Sequence, residues 1–131
     1  MATVKQFEDL EIWKLSRVLC IDIYTIAINT NLRIDYKLYH QIDGSSGSIM
    51  DNIVEGFERN GNREFIQFLS ISKASAGETR SQLYRILDRK YIDQETFNKL
   101  RDQVVTLSKM IGGFMNYLKK SDLKGTKYKL D

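Results

Sequence analysis

The sequence predicts an all-α chain, folded as an up-down-up-down antiparallel four-helix bundle with long helices. Three observations predict it. The 131 residues contain no proline, so nothing removes a helical donor or clashes with a preceding turn. Apolar residues recur in steps of three and four over four stretches, the period of one helix face. Between those stretches stand short polar clusters, Asn29-Thr30-Asn31, Arg59-Asn60-Gly61-Asn62 and Asp93, suited to turns between neighbouring antiparallel helices. No stretch sustains period two and none repeats another. One domain is expected over residues 1–131, with a core over about 7–118 and a basic C-terminal tail over 119–131.

The first helix is expected from about Phe7 to Asn29, with Glu8, Asp9 and Glu11 at the positive end of its dipole. It carries two apolar stripes. Leu10, Trp13, Cys20, Tyr24 and Ala27 form one; Ile12, Leu15, Leu19, Ile23 and Ile26 form the other. A surface helix of a monomer needs only one such stripe. Two fit either a helix buried on two sides, facing its own bundle and a neighbouring subunit, or one wide face within a monomer.

The second helix is expected from Tyr36 to Glu58, capped by Asp35, whose carboxylate can accept from unpaired backbone N–H groups. Tyr39, Ile42, Ile49, Ile53 and Phe57 mark its inner face. Gly44-Ser45-Ser46-Gly47-Ser48 has the composition of a linker. The period resumes in phase beyond it, through Ile42, Ser46, Ile49 and Ile53, so the helix is expected to run through. The third helix starts near Gly61 or Asn62 and ends near Lys90. Glu64 can reach back to the turn as half of a capping box. Phe65, Phe68, Leu69, Ser72, Ala76, Thr79, Leu83 and Ile86 form its face, and Ser72, Ala74, Ser75, Ala76 and Gly77 make its middle slim, which marks it as the central helix. The fourth, capped by Asp93, runs from Gln94 to Lys119 or Lys120. Its seam, Phe97, Leu100, Val104, Leu107, Ile111, Phe114 and Leu118, alternates threes and fours throughout, as in left-handed bundle packing. Val105 and Met115 lie off that seam and suggest a second contact face.

Charge excludes little but is unevenly placed. Up to Leu118 the chain holds fifteen basic and fifteen acidic residues; the tail from Lys119 holds five lysines against two aspartates. Such a tail serves solubility or touches phosphates. No apolar run is long enough to span a bilayer. The start, MATVKQFEDLEI, lacks the apolar core of an export signal, and the single cysteine, Cys20, excludes an internal disulfide. The expected compartment is the cytoplasm.

Four polar residues follow the helical period beside apolar stripes: Asn52, Glu55, Glu78 and Gln82. They are expected as buried residues that fix register or as part of a subunit contact; the alternative is a carboxylate site. If buried, the two carboxylates need partners, with Arg59 and Arg80 as candidates. A di-iron site needs two Glu-x-x-His pairs, and the chain has one histidine, His40, with Lys37 three residues before it. Zinc spacing is absent for the same reason. Cys20, in an apolar stripe, reads as a small hydrophobe rather than a nucleophile. Gly44 and Gly47 lack the Lys-Ser/Thr of a phosphate loop. No metal, cofactor or small-molecule substrate is expected. Arg33 and His40 are spaced like the Arg-His pair of helical RNases, which keeps an RNase as the alternative from another class.

Asn52-Ile53-Val54-Glu55-Gly56-Phe57, Glu64-Phe65-Ile66-Gln67-Phe68-Leu69-Ser70, Ala76-Gly77-Glu78 and Ser81-Gln82-Leu83, with the opening Phe7-Glu8-Asp9-Leu10-Glu11-Ile12-Trp13-Lys14, resemble the four-helix-bundle family encoded in intervening sequences of bacterial 23S ribosomal RNA genes. That family is similar in turn to accessory proteins of diversity-generating retroelements. The resemblance implies a pentamer and nucleic-acid binding. Where the family carries basic residues and a Ser-Ile-Pro-Ser segment, this chain has Asp43 to Asp51, which removes those positive charges. The function expected is a non-catalytic homo-oligomeric, pentameric scaffold or binding module. Its partners would be other copies of itself and RNA or DNA, held by Arg59, Arg63, Lys119, Lys120, Lys124, Lys127 and Lys129; no membrane is expected. A protein–protein adaptor is the other alternative.

Overall fold

The computed structural model describes residues 4–123. A 3-10 turn, Phe7–Asp9, precedes α1 (Glu11–Ile28). A second, Asn31–Ile34, leads into α2 (Tyr36–Glu58), followed by α3 (Asn62–Asp88) and α4 (Gln94–Leu123). Each helix packs on the helices before and after it, and α1 closes on α4, so the four make the expected antiparallel bundle. The contacts of α3 with α2 and α4 are the extensive ones; those of α1 are thinner. No helix is long and apolar enough among the described residues to cross a membrane.

The first helix begins later than its charge pattern predicts. The Asp9 carboxylate accepts from the backbone of both Lys5 and Gln6, at 3.3 Å each. This closes the 3-10 turn and leaves Leu10 extended, at φ −74 and ψ 125, with its side chain buried. At the other end Thr30 donates to the Ile26 carbonyl at 2.9 Å and accepts from Leu32 N at 3.2 Å. Those bonds shape the second 3-10 turn, which inserts Leu32 into the core. The inner face of α1 is Ile12, Ser16, Leu19, Ile23 and Ala27. It draws on both expected stripes, while Leu15 and Tyr24 turn outward. The outer face of α1 mixes Glu11, Lys14, Arg17 and Thr25 with Val18, Ile21 and Ile28, so its polar residues do not cleanly mark which apolar residues turn inward.

The boundaries of α2 match the expected ones. Asp35 caps it, accepting from Leu38 N at 3.5 Å. The Gly-Ser run is helical, with the Ser46 hydroxyl donating to the Ile42 carbonyl at 2.7 Å. Polar groups in that run therefore close locally rather than opening the chain. Leu38, Ile42, Ser46, Ile49, Ile53 and Gly56 are buried; Tyr39 and Phe57 are half-buried at the margins. In the turn Asn60 takes a left-handed φ of 59, where asparagine is tolerated. Lys90 does the same at φ 62 and ends α3 at Asp88, two residues early. Asp93 accepts from Thr96 N at 2.8 Å and starts α4. That helix runs to Leu123, so Lys119 and Lys120 belong to its last turns rather than to a tail.

The core follows the α4 seam. Phe97, Leu100, Val104, Leu107, Ile111 and Leu118 are buried, and Phe114 is half-buried. Phe65 is buried between Phe57 and Phe114, edge-on to both at centroid distances of 6.0 and 5.3 Å. Met115, expected off the seam, packs against the core. Gly56 lets α3 approach α2 here: a Cβ on it would lie 2.9 Å from both Phe65 Cδ1 and Phe68 Cβ. At the opposite end Asp35 bonds Arg89 Nη1 at 2.6 Å and Tyr91 O–H at 2.8 Å, tying the start of α2 to the end of α3.

Two measurements check this packing. Gly56→Ala is expected to lower stability by about 1–3 kcal/mol, since overpacking against two phenylalanines outweighs the gain in helix propensity. Gly77→Ala, with nothing within 4 Å of its Cβ, is expected to raise stability by about 1 kcal/mol; equal effects in chemical denaturation would contradict the close approach. The hydrogen bonds from Tyr91 and Arg89 hold the Asp35 carboxyl below its ordinary value. Its stabilisation is therefore present above pH about 3.9 and lost as pH falls through the lower folded value. Asp35→Asn keeps a capping side chain but not the charge. Its melting temperature should fall below wild type at neutral pH, with the gap closing on acidification.

Candidate functional site

The polar residues between α2 and α3 form a ladder. Ser45 Oγ lies 2.8 Å from Thr79 Oγ1 and donates to Gln82 Oε1 at 2.6 Å. Ser75 donates to Ser48 Oγ at 3.0 Å, and Asn52 Nδ2 donates to the same oxygen at 2.9 Å. Ser72 donates across to the Ile49 carbonyl at 2.9 Å. Asn52 and Gln82, both half-buried, thus belong to a network that couples the two helices. Glu55 and Glu78 do not. Both are exposed, and Glu55 pairs with Arg59 one turn on, at 2.8 Å. A carboxylate on the outer face keeps its hydration, so neither is a buried register residue of this chain. Periodicity placed them beside the inner stripe but one step too far round the helix.

Sequence reasoning missed the most apolar exposed surface. Val18, Ile21 and Ile28 on α1 are 46%, 52% and 46% exposed, flanked by exposed Leu15 and Tyr24. Val18, Ile21, Thr25 and Ile28 step by three, four and three, the spacing of a coiled-coil seam. That spacing was legible in the sequence but was masked by the stronger inner pattern. Beside the ridge, α1 and α4 leave an open groove, which includes a cavity of about 540 Å³ lined in part by Asp22, Ile26, Lys99 and Leu100. Gln103 Nε2 bridges this groove to Asp22 Oδ2 at 2.9 Å, while its Oε1 is buried without a hydrogen-bond partner.

The basic residues gather at the other candidate surface. Asn62 Nδ2 donates to the Leu118 carbonyl at 3.2 Å, which seats the α2–α3 turn against the end of α4. Arg59, Arg63, Lys119 and Lys120 therefore share one end of the bundle, and all four are exposed. Arg59 also lies over the Phe68 ring, 5.1 Å from its centroid. Lys124, Lys127 and Lys129 lie outside the described residues.

Cys20 is half-buried, and burial pushes its thiol up from the ordinary value, which disfavours the nucleophilic thiolate. Arg33 lies exposed on the second 3-10 turn and His40 exposed on α2. Among the described residues no group of three or more His, Cys, Asp or Glu side chains could hold a metal ion.

The model of the 23S rRNA-intervening sequence protein family matches residues 8–113. A similar solved structure is a protein of unknown function from the S23 ribosomal protein family of Bacteroides thetaiotaomicron. It is 22% identical, with a TM-score of 0.71, and the match covers 79% of this chain and 97% of that one. At that identity the likeness carries the fold. No curated protein matches the chain.

Proposed function

The chain belongs to the 23S rRNA-intervening sequence protein family, and we propose that it works as a non-catalytic, homo-oligomeric helical binding module, a pentamer as its resemblance implies. The observation that carries this reading is the ridge on α1. Three aliphatic side chains about half in water, in register along one helix, are a surface that association would cover. Completing the burial of each would contribute about 1 kcal/mol. The thin packing of α1 on its own bundle supports the same reading, since it leaves that helix free to divide its apolar surface between two neighbours.

A second reading rests on the hydrogen bond between Asn62 and Leu118, which gathers Arg59, Arg63, Lys119 and Lys120 at one end. Positive charge there, followed in the sequence by Lys124, Lys127 and Lys129, suits the phosphate backbone of RNA or DNA, read by charge rather than by base. Arg59 is held by Glu55 and over Phe68, which leaves Arg63 and the two lysines as the freer cations.

Sedimentation at micromolar concentration should give an oligomer for the wild type and a folded monomer for Val18→Asp with Ile21→Asp. Both substitutions fall on exposed positions, so the circular dichroism should stay helical. A monomeric wild type would remove the proposal. Binding to single-stranded RNA should weaken with salt, and replacing Arg63, Lys119 and Lys120 by alanine should shallow the log–log slope by about 0.7 for each phosphate no longer neutralised. Unchanged slopes would set the basic end aside.

A further inference from the structure

The corner where α1 gives way to α2 carries aromatic rings that the bundle does not use. Among the described residues Tyr36 is the most exposed large hydrophobic side chain, at 68%, and Tyr24 on α1 is 53% exposed. Scattered apolar residues on a surface need no explanation, but these two belong to a row. Tyr36, Tyr39 and His40 are neighbours on the first two turns of α2, at the three- and four-residue steps that bring side chains together on one face. The Tyr39 and His40 rings lie 6.2 Å apart, tilted by 37°. Tyr39 is half-buried at the edge of the core. Burial pushes its phenol above the ordinary value, and the nearness of Asp43 and of Tyr24 pushes it the same way, so Tyr24 continues the row across onto α1.

Positive charge borders the row. Arg33, on the 3-10 turn, and Lys37, next to Tyr36, are exposed and form no ion pair with any described residue. Of the acids nearby, Asp35 is already met within the chain by Arg89 and Tyr91. Asp43, a turn beyond His40, is exposed and bounds the face on that side.

We propose that this corner is a stacking platform for the bases of a single-stranded nucleic acid. Aromatic rings with free cations at their margin match a strand whose bases can lie on those rings while its phosphates run alongside. A duplex keeps the faces of its bases inside its own stack, so the corner selects single strands. Ile34, 60% exposed, adds apolar area that any apolar partner could cover; the rings are what single out a base. The inference takes its ligand from the nucleic-acid reading above and adds a site which that reading does not contain. The length of α2, about 33 Å, separates the corner from Arg59, Arg63, Lys119 and Lys120. The basic end answers to phosphates, and the corner answers to bases.

Anisotropy of a labelled oligouridine, titrated with the full chain, tests this. Tyr24→Leu with Tyr36→Leu keeps apolar area at two exposed positions but removes the rings, so its circular dichroism and sedimentation should match the wild type. Its affinity should fall roughly tenfold for each stacked base lost. The salt dependence should not change, because no phosphate contact has gone. Tyr24→Phe with Tyr36→Phe should bind as the wild type does. A strand of the same length without bases should bind the wild type and the leucine variant equally. The inference is overturned if the leucine variant binds oligouridine as tightly as the phenylalanine variant, which makes the corner a general apolar contact. It is also overturned if the wild type binds the baseless strand as tightly as oligouridine. In both cases the salt-dependent reading of the basic end stands. A wild type that binds neither strand removes that reading and this inference together.

Discussion

The close approach of α2 and α3 is the constraint on which the other contacts of the bundle depend. Phe65 and Phe68 occupy the space where a side chain on Gly56 would lie. Further along, serine and threonine stand where bulkier residues would hold the helices apart, and their hydroxyls bond across the gap or back to their own helix. A buried hydroxyl without a partner is costly, so a small polar interface of this kind is stable only when its donors are placed. Placement fixes register, and register sets where the outer faces of both helices point. With Phe65 held under α2, Phe57 and Phe114 find their edge-on positions against it, and the α4 seam can close on α3.

Against that firm half, α1 docks more loosely. Its inner face includes Ser16 and Ala27, small residues that bury little apolar surface. The groove it leaves against α4 is crossed by a polar bridge from Gln103 to Asp22 rather than filled by side chains. The aliphatic surface of α1 that does not enter the core is arranged as a seam. A helix with an inner stripe and an outer seam has the sequence of a buried helix and the position of a peripheral one. That mismatch is the physical basis for reading this chain as part of something larger.

Charge has a smaller part in the fold. Asp35 and Asp93 begin helices, and Asp35 also ties the start of α2 to the end of α3 through Arg89 and Tyr91. The bundle is balanced in sign up to Leu118, so the excess at one end is local rather than global. A local excess attracts a polyanion only at short range in physiological salt, where screening acts over about 8 Å. Such a surface suits contact with phosphates that another interaction has already brought near.

What the sequence determined by itself was whatever depends on neighbours along the chain. The four helical periods, the caps at Asp35 and Asp93, the turn at Asn60-Gly61 and the continuity of α2 through its Gly-Ser run are local matters. Each follows from steps of three and four and from the preferences of single residues. The first helix was drawn too long because the 3-10 turn depends on Asp9 bonding the backbone before it, and the fourth was drawn short of Leu123 because its apolar seam gives out at Leu118. Tertiary structure alone decided how the two apolar stripes on α1 are divided, taking Ile12, Leu19, Ile23 and Ala27 inward and leaving Leu15 and Tyr24 in water, since both stripes have the right period. It likewise decided that Glu55 and Glu78 stay in water while Gln82 bonds across. One step of about 100° around a helix separates a buried position from an exposed one, and which is which depends on where the neighbouring helices lie.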